Sequence, residues 1–142
     1  MKYLLDTDHI SFLQKRRGAE YATLSARMAQ HATVDFAFSI VSFHEQTLGG
    51  HAFLNRARTA ARVIRGYSQL MDVLRIFMTV PVLPFDAAAA AVFDGLQAQR
   101  IRISTMDLRI AAIALSRGWV VLTCNLRDFG RVPGLVAEDW TV

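Results

Sequence analysis

Five polar side chains stand at or near the ends of the short apolar segments of this sequence: Asp6, Glu45, Asp107, Asn125 and Asp128. Asp6 directly follows the first apolar segment, and Asn125 and Asp128 follow the fourth. Glu45 falls one turn into the helix predicted after the second segment, and Asp107 opens the helix predicted before the fourth. Carboxylates from separate parts of the chain can hold Mg²⁺, which prefers oxygen ligands and keeps several waters. Because such a cation activates water and offsets charge on a phosphate, these residue types predict phosphodiester hydrolysis.

Each acid also has a structural explanation when it is taken alone. Asp6 could cap the helix that follows it. Ser42 to Glu45 fits the Ser-x-x-Glu capping box, in which both side chains satisfy donors at a helix start. Asp107 could be a first-turn acid favoured by the helix dipole, and Asp128 an ordinary loop acid. These alternatives stay open locally, and only the joint placement of the acids favours a metal site.

Other catalytic chemistries have little support. Asp6-x-Asp8 after a strand resembles the nucleophile motif of haloacid-dehalogenase-type phosphatases, but those enzymes need a downstream lysine. The only lysines, Lys2 and Lys15, lie too close to the motif. The sequence has no Gly-x-Ser-x-Gly elbow, no Gly-x-Gly-x-x-Gly fingerprint and no Walker loop. Serine hydrolase, dinucleotide and P-loop functions are therefore unsupported.

Histidine and cysteine do not suggest a second type of metal site. The four histidines form no convincing ligand pair, and His44 beside Glu45 is interpreted as an exposed helix residue rather than a proton carrier. Cys124 is the single cysteine, which excludes an internal disulfide and a thiolate cage. We expect Cys124 in or near the core.

Apolar runs alternate with longer helical patterns along the chain. Strands are predicted at residues 3–5, 36–41, 80–83, 119–123 and 135–136, and helices directly after Asp6 and at 21–30, 42–50, 54–77, 86–99 and 106–117. Pro81 places the third strand at an edge or an end of the sheet. Asp86 is predicted to cap the helix that reaches residue 99, and Gly118 to end the helix over 106–117. Because parallel neighbours need crossover connections, the pattern predicts an α/β fold with a central, mainly parallel sheet sandwiched between helices. Ligands bind beyond the carboxyl ends of such strands.

Composition sets the remaining expectations. The 142 residues are 53% hydrophobic and 20% charged, without a linker or repeat, and predict a single domain over 1–142. An acid at position 6 and the lack of a long apolar stretch predict a cytoplasmic protein with no membrane partner. The net charge is +4, with basic clusters at 15–17 and at Arg56, Arg58, Arg62 and Arg65. The charge favours an anionic polymer as partner.

Four segments resemble the PIN-domain toxins of the VapC type. They are residues 1–8 (MKYLLDTD), 39–46 (SIVSFHEQ), 105–112 (TMDLRIAA) and 122–129 (LTCNLRDF), the last followed by similar residues at 132–135 and 138–140. The resemblance spans residues 1 to 140 in the family's order. It departs from the fullest family pattern at Asn125, where family members often carry a fourth acid.

The resemblance implies a PIN-like fold and an endoribonuclease that depends on Mg²⁺, with Mn²⁺ as the alternative cation. It makes Asp6 and Asp107 metal ligands and Glu45 a further acidic member of the site. Asn125 can offer a carbonyl oxygen, and Asp128 can supply the missing charge.

The resemblance also implies partners: an RNA substrate, a cognate antitoxin, a homodimer and toxin–antitoxin hetero-oligomers. Two alternatives remain at this stage. One is a housekeeping PIN ribonuclease in RNA processing, and the other is a catalytically inactive PIN-like RNA- or protein-binding module, supported only by Asn125.

Overall fold

Five strands form one sheet in the computed structural model, which describes residues 1–142. They are β1 (Tyr3–Leu5), β2 (Phe36–Ser39), β3 (Val82–Leu83), β4 (Val120–Leu122) and β5 (Ala137–Glu138). The strand order is β3-β2-β1-β4-β5, and every neighbouring pair is parallel. The predicted α/β fold is confirmed, with β1 at the centre and β3 at an edge.

Seven helices connect the strands. They are α1 (Thr7–Lys15), α2 (Ala19–Met28), α3 (Ile40–Arg56), α4 (Ala60–Ile76), α5 (Ala87–Ala98), α6 (Thr105–Arg117) and α7 (Leu126–Phe129), and a 3-10 turn at Thr33–Asp35 precedes β2. None of these helices combines the length and the apolar character that crossing a bilayer requires.

Alternate side chains of the strands build a separate core on each face of the sheet. Leu4 and Val121 belong to a cluster with apolar residues of α5 and α6. Leu5 and Leu122 belong to a second cluster with residues of α1, α2 and α4. Because successive strand residues point to opposite faces, the buried strands require helices on both sides. This packing fixes the carboxyl ends of β1, β2 and β4 side by side.

Local capping explains where several helices begin and end. Asp86 caps α5 by accepting a hydrogen bond from the Ala89 N–H, and Gly118, with φ of 70°, ends α6 in the left-handed conformation. Both were predicted from the sequence. Ser39 caps α3, and for that reason β2 stops there instead of continuing to Val41.

The predicted end of α3 near Gly49-Gly50 is wrong, because α3 continues to Arg56. Gly50 lies against α4, where a Cβ atom would stand 2.5 Å from Leu70 Cδ2. The glycine therefore serves close packing of two helices rather than helix termination. The helix predicted over 54–77 accordingly begins only at Ala60, after its cap Thr59.

Two further differences lie near the C-terminus. The last strand is Ala137–Glu138 rather than residues 135–136, and its register places Ala137 opposite Val121 of β4. The segment after β4, predicted as a loop, contains the short helix α7. Asn125 caps this helix, and a single turn is too short to leave a periodic apolar pattern.

Candidate active site

Asp6 stands at the carboxyl end of the central strand and is almost completely buried, with 6% of its surface exposed. Its Oδ1 accepts a hydrogen bond of 2.8 Å from the Thr7 N–H, so that Asp6 is the N-cap of α1. Its Oδ2 accepts a hydrogen bond of 2.8 Å from Thr123 Oγ1, at the end of β4. The capping explanation is therefore correct. Capping does not exclude a role in the site, because the Asp6 carboxylate still lies near the charges of Asp8 and Asp107.

Burial raises the pKa of Asp6 to about 7, and the charge of Asp8 adds to the effect. Hydrogen bonds from Thr123 and Thr7 lower this pKa, and the charge of Asp107 raises it again. A carboxyl group with such a pKa is about half protonated at neutral pH unless a cation balances its charge.

Asp8, two residues later, is held by donors on both oxygens. His9 Nδ1 lies 2.8 Å from Oδ1, and the Cys124 N–H donates to Oδ2 over 2.9 Å. Burial alone would raise the pKa of Asp8, but the hydrogen bonds from His9 and Cys124 outweigh it, and the net shift is downward. Asp8 is thus an ionised group close to Asp6, which still holds its proton about half of the time at neutral pH.

Glu45 projects from α3 without a capping role. The helix begins at Ile40 with Ser39 as its cap, so the proposed Ser42–Glu45 capping box does not form. Glu45 is half-buried, and its Oε1 is buried without any hydrogen-bond partner. Burial and the charge of Asp107 raise the pKa of Glu45, and they outweigh a hydrogen bond with Thr7 that lowers it. A buried carboxylate oxygen without a donor is costly, and a bound cation or water would satisfy it.

Asp107 lies in the first turn of α6, where its N–H donates to the capping hydroxyl of Ser104 over 3.1 Å. Burial raises the pKa of Asp107, a hydrogen bond with Ser104 lowers it, and the charges of Asp128 and Asp8 raise it. Since Asp107 also raises the pKa values of Asp6 and Glu45, the fold brings these three carboxylates within electrostatic reach of one another.

The closing segment contributes Asn125 and Asp128, which bind each other. Asn125 Nδ2 donates to Asp128 Oδ2 over 3.0 Å, and Asn125 Oδ1 accepts from the Asp128 N–H over 3.4 Å. Arg131 Nη1 lies 3.7 Å from Asp128 Oδ1. The amide of Asn125 is therefore committed to capping α7, whereas the charge of Asp128 acts on Asp107.

Two buried polar residues near the site, His9 and Thr123, were not predicted from the sequence. His9 is fully buried, and Thr123 is buried and contacts both Asp6 and Asp8. A polar residue inside the apolar pattern of a helix, directly after the strand-end acids, was the available signal for His9. The exposed position predicted for His44 is correct.

The prediction of a near-core Cys124 is wrong, because the residue is exposed after β4. Its Sγ lies with ligand atoms of Asp8 and His9 within 4.8 Å of one another. Partial burial, with the charges of Asp8 and Asp139 adding to it, raises the pKa of the thiol to about 11. The sulfur therefore stays protonated at neutral pH and is a poor thiolate ligand.

The donor set of the site fits a divalent cation. Asp6, Glu45 and Asp107 offer carboxylate oxygens, which hard cations prefer, and a cation would compensate the buried Glu45 Oε1. Asp8 and Asp128 add negative charge around them. The cluster is compatible with a bound divalent metal.

Comparison with known proteins gives relatives over the full chain. The tRNA(fMet)-specific endonuclease VapC of Shigella flexneri is 32% identical over 146 residues, covering 99% of both chains. The protein of that name from Salmonella typhimurium is 31% identical, over 99% of this chain and 98% of its own. No family model matches the sequence.

Solved structures share the fold. A DNA-bound VapBC structure from Salmonella typhimurium contains a chain with a TM-score of 0.78 and 28% identity, over 99% of this chain and 98% of that one. VapBC-1 from nontypeable Haemophilus influenzae gives a TM-score of 0.77 at 24% identity over the whole of both chains.

The parallel sheet and the acids at its carboxyl edge define a PIN-type nuclease fold. The chain belongs to the VapC family, the ribonucleases of VapBC toxin–antitoxin systems. The expectation of a PIN-like ribonuclease, drawn from the resemblance of four short segments, is thereby confirmed at the level of the family.

Proposed function

We propose that this chain is a Mg²⁺-dependent endoribonuclease and the toxin of a VapBC-type pair. The observation that carries the proposal is a group of three acids from three parts of the chain, Asp6, Glu45 and Asp107. Their pKa values are all raised by burial and by the charges of neighbouring acids, Asp8 among them in each case. Such repulsion is costly without a cation. The proposed reaction, cleavage of RNA, is that of the nucleases to which the chain is similar.

In this proposal Asp6 and Asp107 hold the cation, with Mn²⁺ as the alternative to Mg²⁺. The bound cation would supply Lewis-acid chemistry, activating water against an RNA phosphodiester. Glu45 orients the attacking water or accepts its proton through the otherwise unpartnered Oε1. Asp128 keeps the local potential negative, while Asn125 holds Asp128 in place.

RNA is the proposed substrate, and a basic side chain on α6 supports it. Arg109 lines a depression together with His44, the neighbour of Glu45, and its guanidinium group lies 5.7 Å from the ring centroid of Phe93. A guanidinium group can hold a phosphate without reading the base. Because two relatives are named tRNA(fMet)-specific, tRNA is the first substrate to test.

A cognate antitoxin is the proposed protein partner, in a hetero-oligomer that contains a toxin homodimer. The similar solved structures are VapBC complexes. One face of α4 is also rich in exposed apolar side chains, at Val63, Ile64, Tyr67, Met71 and Leu74. Such a contiguous apolar face is typical of a protein interaction surface. The proposed location of the complex is the cytoplasm.

The test is cleavage of an RNA pool and of purified tRNA by the purified protein, with Mg²⁺ and with EDTA. We expect cleavage only with Mg²⁺, and a loss of at least about a thousandfold in Asp6→Asn and Asp107→Asn, because each change removes a charge at the cation. Asp94→Asn, on the exposed face of α5, makes the same substitution outside the site and should be fully active.

Full activity in EDTA, or in both site variants, would overturn the metal-dependent site. The toxin role has a separate test, in which expression arrests bacterial growth and co-expression of the antitoxin restores it. Harmless accumulation of active enzyme would favour a housekeeping ribonuclease.

A further inference from the structure

His9 connects the C-terminal segment of the chain to the acidic site. The residue lies in the first turn of α1 and is fully buried. Its Nε2 faces the backbone N–H of Trp140 at 3.2 Å, and its Nδ1 faces Asp8 Oδ1 at 2.8 Å. Both nitrogens of the ring are therefore engaged, one with a group close to the C-terminus and the other with an acid beside Asp6.

The contact with Trp140 determines where the ring carries its proton. A backbone N–H can only donate, so His9 Nε2 must accept and be unprotonated. The proton then lies on Nδ1, which donates to Asp8. This tautomer also argues against His9 as a metal ligand in the group with Asp8 and Cys124, since neither nitrogen has a free lone pair.

Asp8 passes this constraint to the end of β4. With Oδ1 occupied by His9, Asp8 Oδ2 accepts from the Cys124 N–H over 2.9 Å and lies 3.3 Å from Thr123 Oγ1. Thr123 Oγ1 donates to Asp6 Oδ2 over 2.8 Å and accepts from the Asn125 N–H over 2.9 Å. The single hydroxyl proton of Thr123 goes to Asp6, so Asp8 acts on Thr123 through the backbone N–H of the next residue, Cys124. The orientation of Asp6 thus depends on a series of contacts that starts at His9 and passes through the backbone at the end of β4.

The C-terminal segment is itself held firmly. Asp139 Oδ1 accepts hydrogen bonds from the Thr141 N–H and the Thr141 hydroxyl, over 2.8 and 2.6 Å. Arg27 donates to the Asp139 carbonyl and lies 4.8 Å from the ring centroid of Trp140. A fixed Trp140 N–H gives His9 a rigid reference point.

We propose that His9 is a positioning residue for the cation site: anchored by the Trp140 N–H, it orients Asp8 and through Thr123 fixes the carboxylate of Asp6. The inference rests on the proposed function, because it assumes that Asp6 binds the cation. Groups that orient metal ligands from behind typically change metal affinity by about 10- to 100-fold when they are removed.

Two substitutions separate the two contacts of the ring. In His9→Asn the side-chain amide stands where Nδ1 was and can still donate to Asp8, but the acceptor for the Trp140 N–H is lost. In His9→Gln the amide reaches the position of Nε2 and can accept from Trp140, but the donor to Asp8 is lost. Titration calorimetry with Mn²⁺ should give a dissociation constant within about threefold of wild type for His9→Asn and at least tenfold weaker for His9→Gln.

A purely structural role predicts the reverse order, since the anchor to the C-terminus would then matter more. Equal Mn²⁺ affinities of the two variants, or weaker binding by His9→Asn than by His9→Gln, would overturn the inference. The proposed function would still stand in that case, provided that the wild type binds Mn²⁺. Absence of Mn²⁺ binding by the wild type would overturn both.

A measurement on the unmodified protein keeps the inference testable if His9→Gln does not fold. Nitrogen-15 NMR of the imidazole distinguishes the two neutral tautomers, and we expect His9 with its proton on Nδ1. A proton on Nε2 would contradict the hydrogen bond from Trp140 and overturn the inference.

Discussion

The two sides of the acidic site satisfy their carboxylates in different ways. On the side of β1 and β4, Asp6 and Asp8 receive hydrogen bonds from Thr7, Thr123, Cys124 and His9. On the side of α3 and α6, Glu45 keeps a buried oxygen with no donor at all. Asp6 and Asp8 are thus fixed by the protein alone, whereas Glu45 Oε1 is satisfied only when something else binds.

The two kinds of carboxylate affect cation binding in different ways. A hydrogen-bonded carboxylate has its orientation fixed before any cation arrives, which lowers the ordering cost of binding. An unpartnered buried oxygen contributes a penalty that a cation or its water can remove. The comparison predicts that changes on the two sides have different effects.

After Asp6 and Asp107, the proposed cation ligands, the largest loss of cleavage is expected at Glu45. Glu45→Gln keeps the size of the side chain but removes its charge, and cleavage should fall by about a hundredfold or more, the range of acid–base and electrostatic groups. The capping explanation predicted little change, and the start of α3 at Ile40 already removes that explanation. Initial rates on one RNA substrate at saturating Mg²⁺ are the measurement.

Glu20→Gln, on the exposed start of α2, makes the same chemical change outside the site and is the matched control. Near-full activity of Glu45→Gln would show that the unpartnered oxygen has no catalytic use.

On the hydrogen-bonded side, Asp6→Asn should raise the stability of the metal-free protein. Because the pKa of Asp6 is raised to about 7 in the fold, its contribution to stability is fully present below its ordinary pKa and is lost as the pH rises through 7. At pH 8 the variant should therefore melt higher than wild type by several degrees, on the order of 5 °C.

The difference in Tm should be clearly smaller at pH 5, where Asp6 in the folded wild type is protonated, and should close only below the ordinary pKa of 3.8. Thermal melts in EDTA at both pH values measure it. An equal difference at the two pH values would mean that the charge of Asp6 is not the cause.

The smallest effects are expected in the closing segment. Asp128→Ala should weaken cleavage severalfold and more than Asn125→Ala, because the charge of Asp128 acts on Asp107 while the Asn125 amide is used in capping α7. In a Mg²⁺ titration, the loss in Asp128→Ala should appear mainly as weaker apparent Mg²⁺ binding, so that a higher Mg²⁺ concentration is needed for the half-maximal rate. The reverse order would make Asn125 the direct contact.

The elements that carry strong local signals were predictable from the sequence. Asp86 starts α5 and Gly118 ends α6, as expected. The alternation of short apolar runs with helical patterns correctly predicted the parallel sheet. Gly50 was misinterpreted because a glycine that lets two helices approach looks, in one dimension, like a helix end.

The site divides in the same way. Asp6, Glu45 and Asp107 stand at predicted element ends, so topology alone predicted their proximity. His9 and Thr123 could not be found in this manner, since their partners Trp140 and Asp6 lie 131 and 117 residues away in sequence. Supporting contacts of that range leave no local pattern.

The most direct test of the account is the number of protons released when Mg²⁺ or Mn²⁺ binds, measured by titration calorimetry in buffers of different ionisation enthalpy. With a pKa of about 7, Asp6 is half protonated at pH 7, so binding should release about half a proton from this group. The release should fall at pH 9 and should be reduced by that amount in Asp6→Asn. Binding without proton release at pH 7, or a release that Asp6→Asn leaves unchanged, would contradict the claim that a cation takes the place of the proton on Asp6.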